Sequence, residues 1–177
     1  MNILVVYATI EGHSRKIAEW IADYVRTNGN KSRVIDAAAL KGSPDVTGHD
    51  AVMIIAPVHQ RIHPEAVLDF IFALRDSLNA NPSAFISVSL SAAFDAGQAE
   101  ARSYLDHLLE CTGWKPTAMH LAAGALRYDE YDYFKEQIIR HVVLRGLGAA
   151  DIKGDHDFTD WKALERFVDD FVRAAKP

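Results

Sequence analysis

Apolar residues in this chain follow two alternating spacings. Continuous runs at Ile3-Leu4-Val5-Val6-Tyr7, Ala51-Val52-Met53-Ile54-Ile55-Ala56 and Ala84-Phe85-Ile86-Ser87-Val88-Ser89-Leu90 present almost no polar side, as expected of strands covered on both faces of a parallel sheet. Arg33-Val34-Ile35-Asp36 is a shorter strand candidate, and residues 117–123 read as a fifth. Between the runs, apolar positions recur at helical spacing: Ile17, Trp20, Ile21, Tyr24 and Val25; Val67, Phe70, Ile71 and Leu74; Ala101, Tyr104, Leu105 and Leu108; Trp161, Leu164, Val168 and Phe171. Punctuation agrees with these segments. Asn28-Gly29-Asn30 closes the first helix, Pro57 stops a strand, Pro64 stands at a first helical position, and Gly113 ends the third helix. Strands alternating with helices predict an α/β fold, a doubly wound five-stranded parallel sheet with right-handed crossovers, as one domain over residues 1–177.

One segment exceeds that plan. Residues 127–156 open with Tyr128-Asp129-Glu130-Tyr131-Asp132-Tyr133-Phe134 and continue through Leu147 with Ile138, Ile139, Val142 and Val143 on a broad apolar face, Arg140, His141 and Arg145 lying off it. An extra amphipathic helix is expected there, its stripe turned first toward its own domain. An anionic membrane surface or a hydrophobic substrate is the other use of such a face.

The chemistry concentrates in Thr9-Ile10-Glu11-Gly12-His13-Ser14, between the first strand and the first helix. A loop turning from a buried strand into a helix converges backbone N–H groups on one point, where anions bind. Thr9 and Ser14 add hydroxyl donors, and Gly12 permits the tight backbone. The loop holds no lysine and lacks both the Gly-Lys-Ser/Thr ending of a nucleoside triphosphate loop and the three spaced glycines of a dinucleotide site. A single terminal phosphate held by neutral donors remains. In this the loop resembles the T/S-x-x-G-x-T/S turn with which flavodoxin-like proteins hold the phosphate of FMN. A flavodoxin-like strand order, 2-1-3-4-5, would bring three loops to one rim: the cradle, Pro57 to His63, and Ser89 to Phe94.

The cradle, the Ser87-Val88-Ser89-Leu90 strand end, Gly124-Ala125-Leu126-Arg127-Tyr128, the extra segment and Thr159-Asp160-Trp161 together resemble the flavodoxin-type, menaquinone-dependent protoporphyrinogen IX dehydrogenases across nearly the whole chain. That resemblance implies FMN, the six-electron oxidation of a porphyrinogen with a quinone as acceptor, and a cytoplasmic protein lying peripherally on the inner membrane. Carried over by position, Thr9, Glu11, Gly12, His13 and Ser14 would hold the phosphate, with Ile10 lending its backbone. Pro57, Val58, His59, Gln60 and Arg61 would face Ser89, Leu90, Ser91, Ala92 and Ala93 across the flavin ring. The second loop departs from the family in offering His59, Gln60 and Arg61 where an aromatic residue is common. For the chemistry itself, a base or a carboxylate-binding cation near the flavin is wanted, and Arg61, His63 and Arg127 are the candidates. Arginine suits propionate because its planar fork binds a carboxylate bidentately.

Charge narrows the partners. A net charge of −5 over 177 residues argues against nucleic acid, whose phosphates need a basic face. The single Cys111 excludes an intramolecular disulfide and fits a reducing compartment. His59 and His63 have an H-x-x-x-H spacing, but Pro64 makes that stretch extended and no third ligand is evident, so no metal is expected. Asp155-His156-Asp157 reads as a solvated turn. An electron-carrying flavodoxin and an NAD(P)H:quinone reductase are the competing functions. The former would show an acidic ring at the flavin edge, where this chain has His59, Arg61 and His63; the latter would need a nicotinamide pocket. The sequence leaves the oligomeric state open, a homo-oligomer included.

Overall fold

The computed structural model describes residues 1–41, 45–126 and 156–176. In chain order the elements are β1 (Asn2–Tyr7), α1 (His13–Thr27), β2 (Lys31–Asp36), β3 (Ala51–Pro57), α2 (Glu65–Ala80), β4 (Ser83–Ser89), α3 (Gln98–Thr112), β5 (Ala118–Ala123), β6 (Ala125–Leu126), β7 (His156–Asp157) and α4 (Trp161–Ala174). The first five strands form one parallel sheet in the order β2-β1-β3-β4-β5, as the alternation of runs predicted. A second, two-stranded antiparallel ribbon pairs β6 with β7.

Successive strand residues point to opposite faces, and each face feeds its own core. Ile3, Val5, Met53, Ile55 and Ile86 meet Ile17, Ile21 and Val25 of α1 and Leu164, Val168 and Phe171 of α4. Leu4, Val6, Val52, Ile54 and Phe85 meet Val67, Phe70 and Ile71 of α2 and Leu105 and Leu108 of α3. Each such side chain, fully buried, contributes roughly 1.5–3 kcal/mol. Trp114 completes the second core in the loop after α3. It is fully buried, and its indole N–H donates to the Ser83 hydroxyl at 3.1 Å, which in turn donates to the Leu78 carbonyl at 2.8 Å. The edge strand β2 keeps Lys31 and Arg33 exposed.

Local chemistry sets the boundaries. Pro64 is extended, with ψ 140°, and its carbonyl accepts from Val67 at 3.0 Å. It therefore caps α2 from outside rather than opening it, and Glu65 is the first helical residue. Gly113, at φ 67°, ends α3 in the left-handed conformation. Asp160 caps α4, its carboxylate accepting from the Ala163 amide at 2.9 Å. His156 and Asp157, read from sequence as a turn, instead form β7; a polar pair can do so because the ribbon lies outside both cores. Asp155, and the extra helix expected within 127–156, lie outside the described residues.

His63 follows the loop after β3 and is 5% exposed. Its Nε2 meets the Ser87 hydroxyl of β4 at 2.9 Å, and its ring packs edge-on against Phe85, 5.1 Å between centroids. Burial, with a smaller push from His107, lowers its pKa from 6.5 to about 4. The native state then binds fewer protons than the unfolded chain between pH 6.5 and 4. Stability from this group is complete above pH 6.5, falls as pH drops through that window, and levels off below about 4. The shift corresponds to ~3 kcal/mol. Urea unfolding at pH 7 and pH 4.5 should therefore show the native protein losing about 2 kcal/mol more than His63→Gln, and parallel losses would refute a buried neutral imidazole.

Candidate functional site

The cleft lies at the carboxyl ends of β1, β3 and β4, where the order of a doubly wound sheet reverses direction. It is an open cleft of about 420 Å³, solvent-exposed space included.

At one end is the turn from β1 into α1. Gly12 has φ 86°, a conformation that disfavours any side chain, and its amide donates to the Thr9 hydroxyl at 2.8 Å. Because Thr9 accepts there, its own O–H proton remains to be donated. Ser14, in the first turn of α1, is 1% exposed and its hydroxyl has no hydrogen-bond partner. A buried hydroxyl left so costs about 1–3 kcal/mol, and an anion oxygen at the helix start would supply its acceptor. The first turn of α1 contains no acidic residue, so its positive dipole end is not countered from within. Thr9, Ile10, Glu11, His13 and Ser14 all line this end of the cleft, Ile10 with its side chain 52% exposed. The donor set fits a phosphate monoester.

His13 is fastened from the far end of the chain. Its Nε2 lies 2.8 Å from the Thr159 hydroxyl, which is 3.0 Å from the Ala123 carbonyl. Thr159 has one proton and gives it to Ala123, so it accepts from His13, whose Nε2 carries the hydrogen. Asp157 sits 3.8 Å from the same nitrogen and receives Lys16 at 2.7 Å. Its pKa is lowered: burial raises it, but Lys16 and Thr159 together outweigh that. The Thr159-Asp160-Trp161 string thus braces the cradle and caps α4.

The other end lies between two loops. Val58 donates to the Val88 carbonyl at 2.8 Å, and beyond it His59 and Ile62 exchange backbone hydrogen bonds of 2.9 and 3.1 Å around a two-residue turn. Gln60 and Arg61, at φ 50° and 71°, occupy that turn in the left-handed region. Such turns normally recruit Asn-Gly, and two ordinary side chains there cost roughly 1–2 kcal/mol each. Opposite, the Ala92 amide donates to the Ser89 hydroxyl at 3.3 Å and Gln98 donates to the Ala92 carbonyl at 2.7 Å. Gly97 is obligatory here, since a Cβ on it would stand 2.2 Å from the Ser91 carbonyl oxygen.

Pro57, Val58, His59, Ser89 and Leu90 line the cleft as expected, joined by Val88, Gly124 and Ala125. The other candidates are placed elsewhere. Ser91 and Ala92 are buried; Ser91 turns inward and donates to Glu100 at 3.0 Å, and neither they nor Ala93 lines the cleft. Gln60 and Arg61 stand exposed at the turn's tip, outside the lining, and Gly12 spends its amide on Thr9. His63 lies beneath the loop, bonded to Ser87, rather than in the cleft as a base. Arg127 lies outside the described residues.

The fold, with its cleft at the strand ends, is that of the flavodoxin-like α/β proteins, and the chain matches the flavodoxin domain over residues 4–151: it belongs to the flavodoxin family. Over 169 residues it is 27% identical to a protoporphyrinogen IX dehydrogenase [quinone] of Escherichia coli K12, covering 95% of this chain and 93% of that one. A protein of the same name from Leishmania major is 29% identical over 173 residues, 96% of this chain and 74% of the relative. The resemblance seen in the sequence is therefore matched by relatives of that name. Among solved structures, oxidised flavodoxin 1 of Bacillus cereus superposes with a TM-score of 0.59 at 17% identity, covering 98% of each chain. An NADH:FMN oxidoreductase superposes at 0.57 with 11% identity, covering 98% of this chain and 89% of that one. At such identities these two share the fold.

Two glycines separate packing from lining. Gly97→Ala should lower Tm by roughly 4–10 °C, because the new methyl group meets backbone that cannot yield. Gly124→Ala, whose Cβ would meet its nearest neighbour at an ordinary 3.5 Å, should leave Tm within about 2 °C. Equal losses in a thermal scan would overturn that distinction.

Proposed function

We propose that this chain binds FMN in the cleft and oxidises protoporphyrinogen IX to protoporphyrin IX, with a menaquinone-type quinone as acceptor. The buried, unpartnered Ser14 hydroxyl beside an acid-free helix start carries the cofactor reading; relatives named for this reaction along 95% and 96% of the chain support the substrate. When bound, FMN supplies the two-electron redox chemistry, and the protein provides position and electrostatics. Ser14 and Thr9 would hold the phosphate by donated hydrogen bonds, and the Glu11 carboxylate would have to stay off it, since like charges repel. Val58, Val88 and Leu90 wall the ring end with apolar surface. His59, in the lining, is the imidazole placed to accept a proton from substrate, a role that burial denies His63. Arg61, at the rim, receives a propionate, and Arg127 is assigned the same service by resemblance. Because a long-chain quinone dissolves in lipid, the working enzyme lies peripherally at the cytoplasmic face of the inner membrane; among the described residues no helix is long and apolar enough to cross it.

Two measurements test this. In an anaerobic assay with protoporphyrinogen IX and a menaquinone analogue, porphyrin fluorescence should rise only with FMN-loaded protein and quinone together. FMN binding without porphyrin formation above the controls would sink the dehydrogenase and leave a carrier or reductase. For the cofactor, Ser14→Ala should weaken FMN binding about tenfold in a flavin-fluorescence titration while leaving riboflavin, which has no phosphate, unchanged. Equal weakening of both would refute the phosphate contact.

A further inference from the structure

Arg61 is placed by its backbone, while its guanidinium stands largely in solvent. Its backbone is held at φ 71° by the His59–Ile62 turn, and its side chain is 69% exposed. Yet one guanidinium nitrogen, Nη2, lies 3.5 Å from Oε1 of Glu100, whose own side chain is only 17% exposed. Strain of this kind persists where surrounding contacts over-determine it, and it gathers at ligand clamps. Glu100 belongs to the first turn of α3, where the helix dipole favours an anion. Its second oxygen, Oε2, accepts from the buried Ser91 hydroxyl at 3.0 Å. Burial first, then Glu100, raises the pKa of the neighbouring Tyr104 phenol. Glu100 is therefore the anchored partner and Arg61 the one that can leave.

The pair links the turn after β3 to the first turn of α3. It is a single long contact, not the bidentate fork a guanidinium makes with a free carboxylate. At 3.5 Å, with its cation largely in solvent, the pair is weak, so a better-matched carboxylate displaces it readily. We propose that Arg61 and Glu100 form a carboxylate-exchange latch: Glu100 occupies Arg61 until a carboxylate on the substrate takes its place. The latch rests on the porphyrinogen reading, since each protoporphyrin ring carries two propionates. It makes Glu100 a specificity-determining residue that touches no reacting atom. A ligand without a carboxylate cannot open it.

The test uses FMN-loaded protein and the product, protoporphyrin IX, against its dimethyl ester in the same detergent, with affinities read from porphyrin fluorescence. Glu100→Gln should bind the diacid three- to fivefold tighter, because the competing charge is gone. Arg61→Gln should bind it about tenfold weaker, and neither change should move the ester more than about 1.5-fold. In the double variant, Glu100→Gln should bring no tightening, since the guanidinium it freed is absent. Tightening that survives in the double variant would mean that Glu100 acts by general repulsion, and the latch is then wrong. Shifts shared equally by diacid and ester, or no shift in either, also refute it while the porphyrinogen reading stands. If the unaltered protein binds neither porphyrin, that reading fails and the latch with it. Melting temperatures within about 2 °C of the parent would show that the variants are folded.

Discussion

Every feature of the cleft depends on β1, β3 and β4 being paired in register and buried on both faces. Tyr7 stands opposite Ile55, and Pro57 opposite Val88, so the three chains leave the sheet at nearly one level. A parallel sheet with helices on both sides leaves its loops one place to converge, beyond the carboxyl ends of its strands. The two cores supply the free energy that holds these ends still. The loops themselves contribute little to stability and inherit their precision from the strands beneath.

Each loop is then fastened by a different device. The cradle is tied to the other end of the chain through Thr159, the turn after β3 is backed by His63 on Ser87, and the loop after β4 is seated by the close approach of Gly97 to Ser91. None of these ties uses a charge buried alone. His63 is kept neutral by the same apolar surroundings that exclude water from Phe85. A polar group at this depth costs free energy unless hydrogen-bonded, and among the described residues the hydroxyls of Ser14 and Tyr104 and the Nε2 of His156 are left without a partner.

The strands and the helices were legible in the sequence because covered strands and amphipathic helices announce themselves by period alone, while the strand order came from the flavodoxin-like pattern. The tight turn from β1 into α1 was legible for a related reason: Thr9, Gly12 and Ser14 are contiguous in the chain. What escaped was set by partners distant in sequence. Nothing near His63 tells that it will meet Ser87 instead of the cleft, since its surroundings come from β4. Ser91 looked like a ring contact until Glu100, nine residues on, was seen to claim its hydroxyl. The left-handed turn at Gln60 and Arg61 lacks the Asn-Gly signature that would have revealed it, and Trp114 sits in a loop where no period applies. Thr159 was visible as part of a motif, but its link to His13 spans 146 residues.

That last distance carries a consequence for assembly. The first residue of α1 receives its side-chain partner from the residue just before the cap of α4, so the cradle closes only after nearly the whole chain has been placed. Contacts of such separation form late, because loop closure must be met before they contribute. The brace on His13 is thereby made a record of completed folding: a chain whose last helix has not docked presents the turn from β1 into α1 without it.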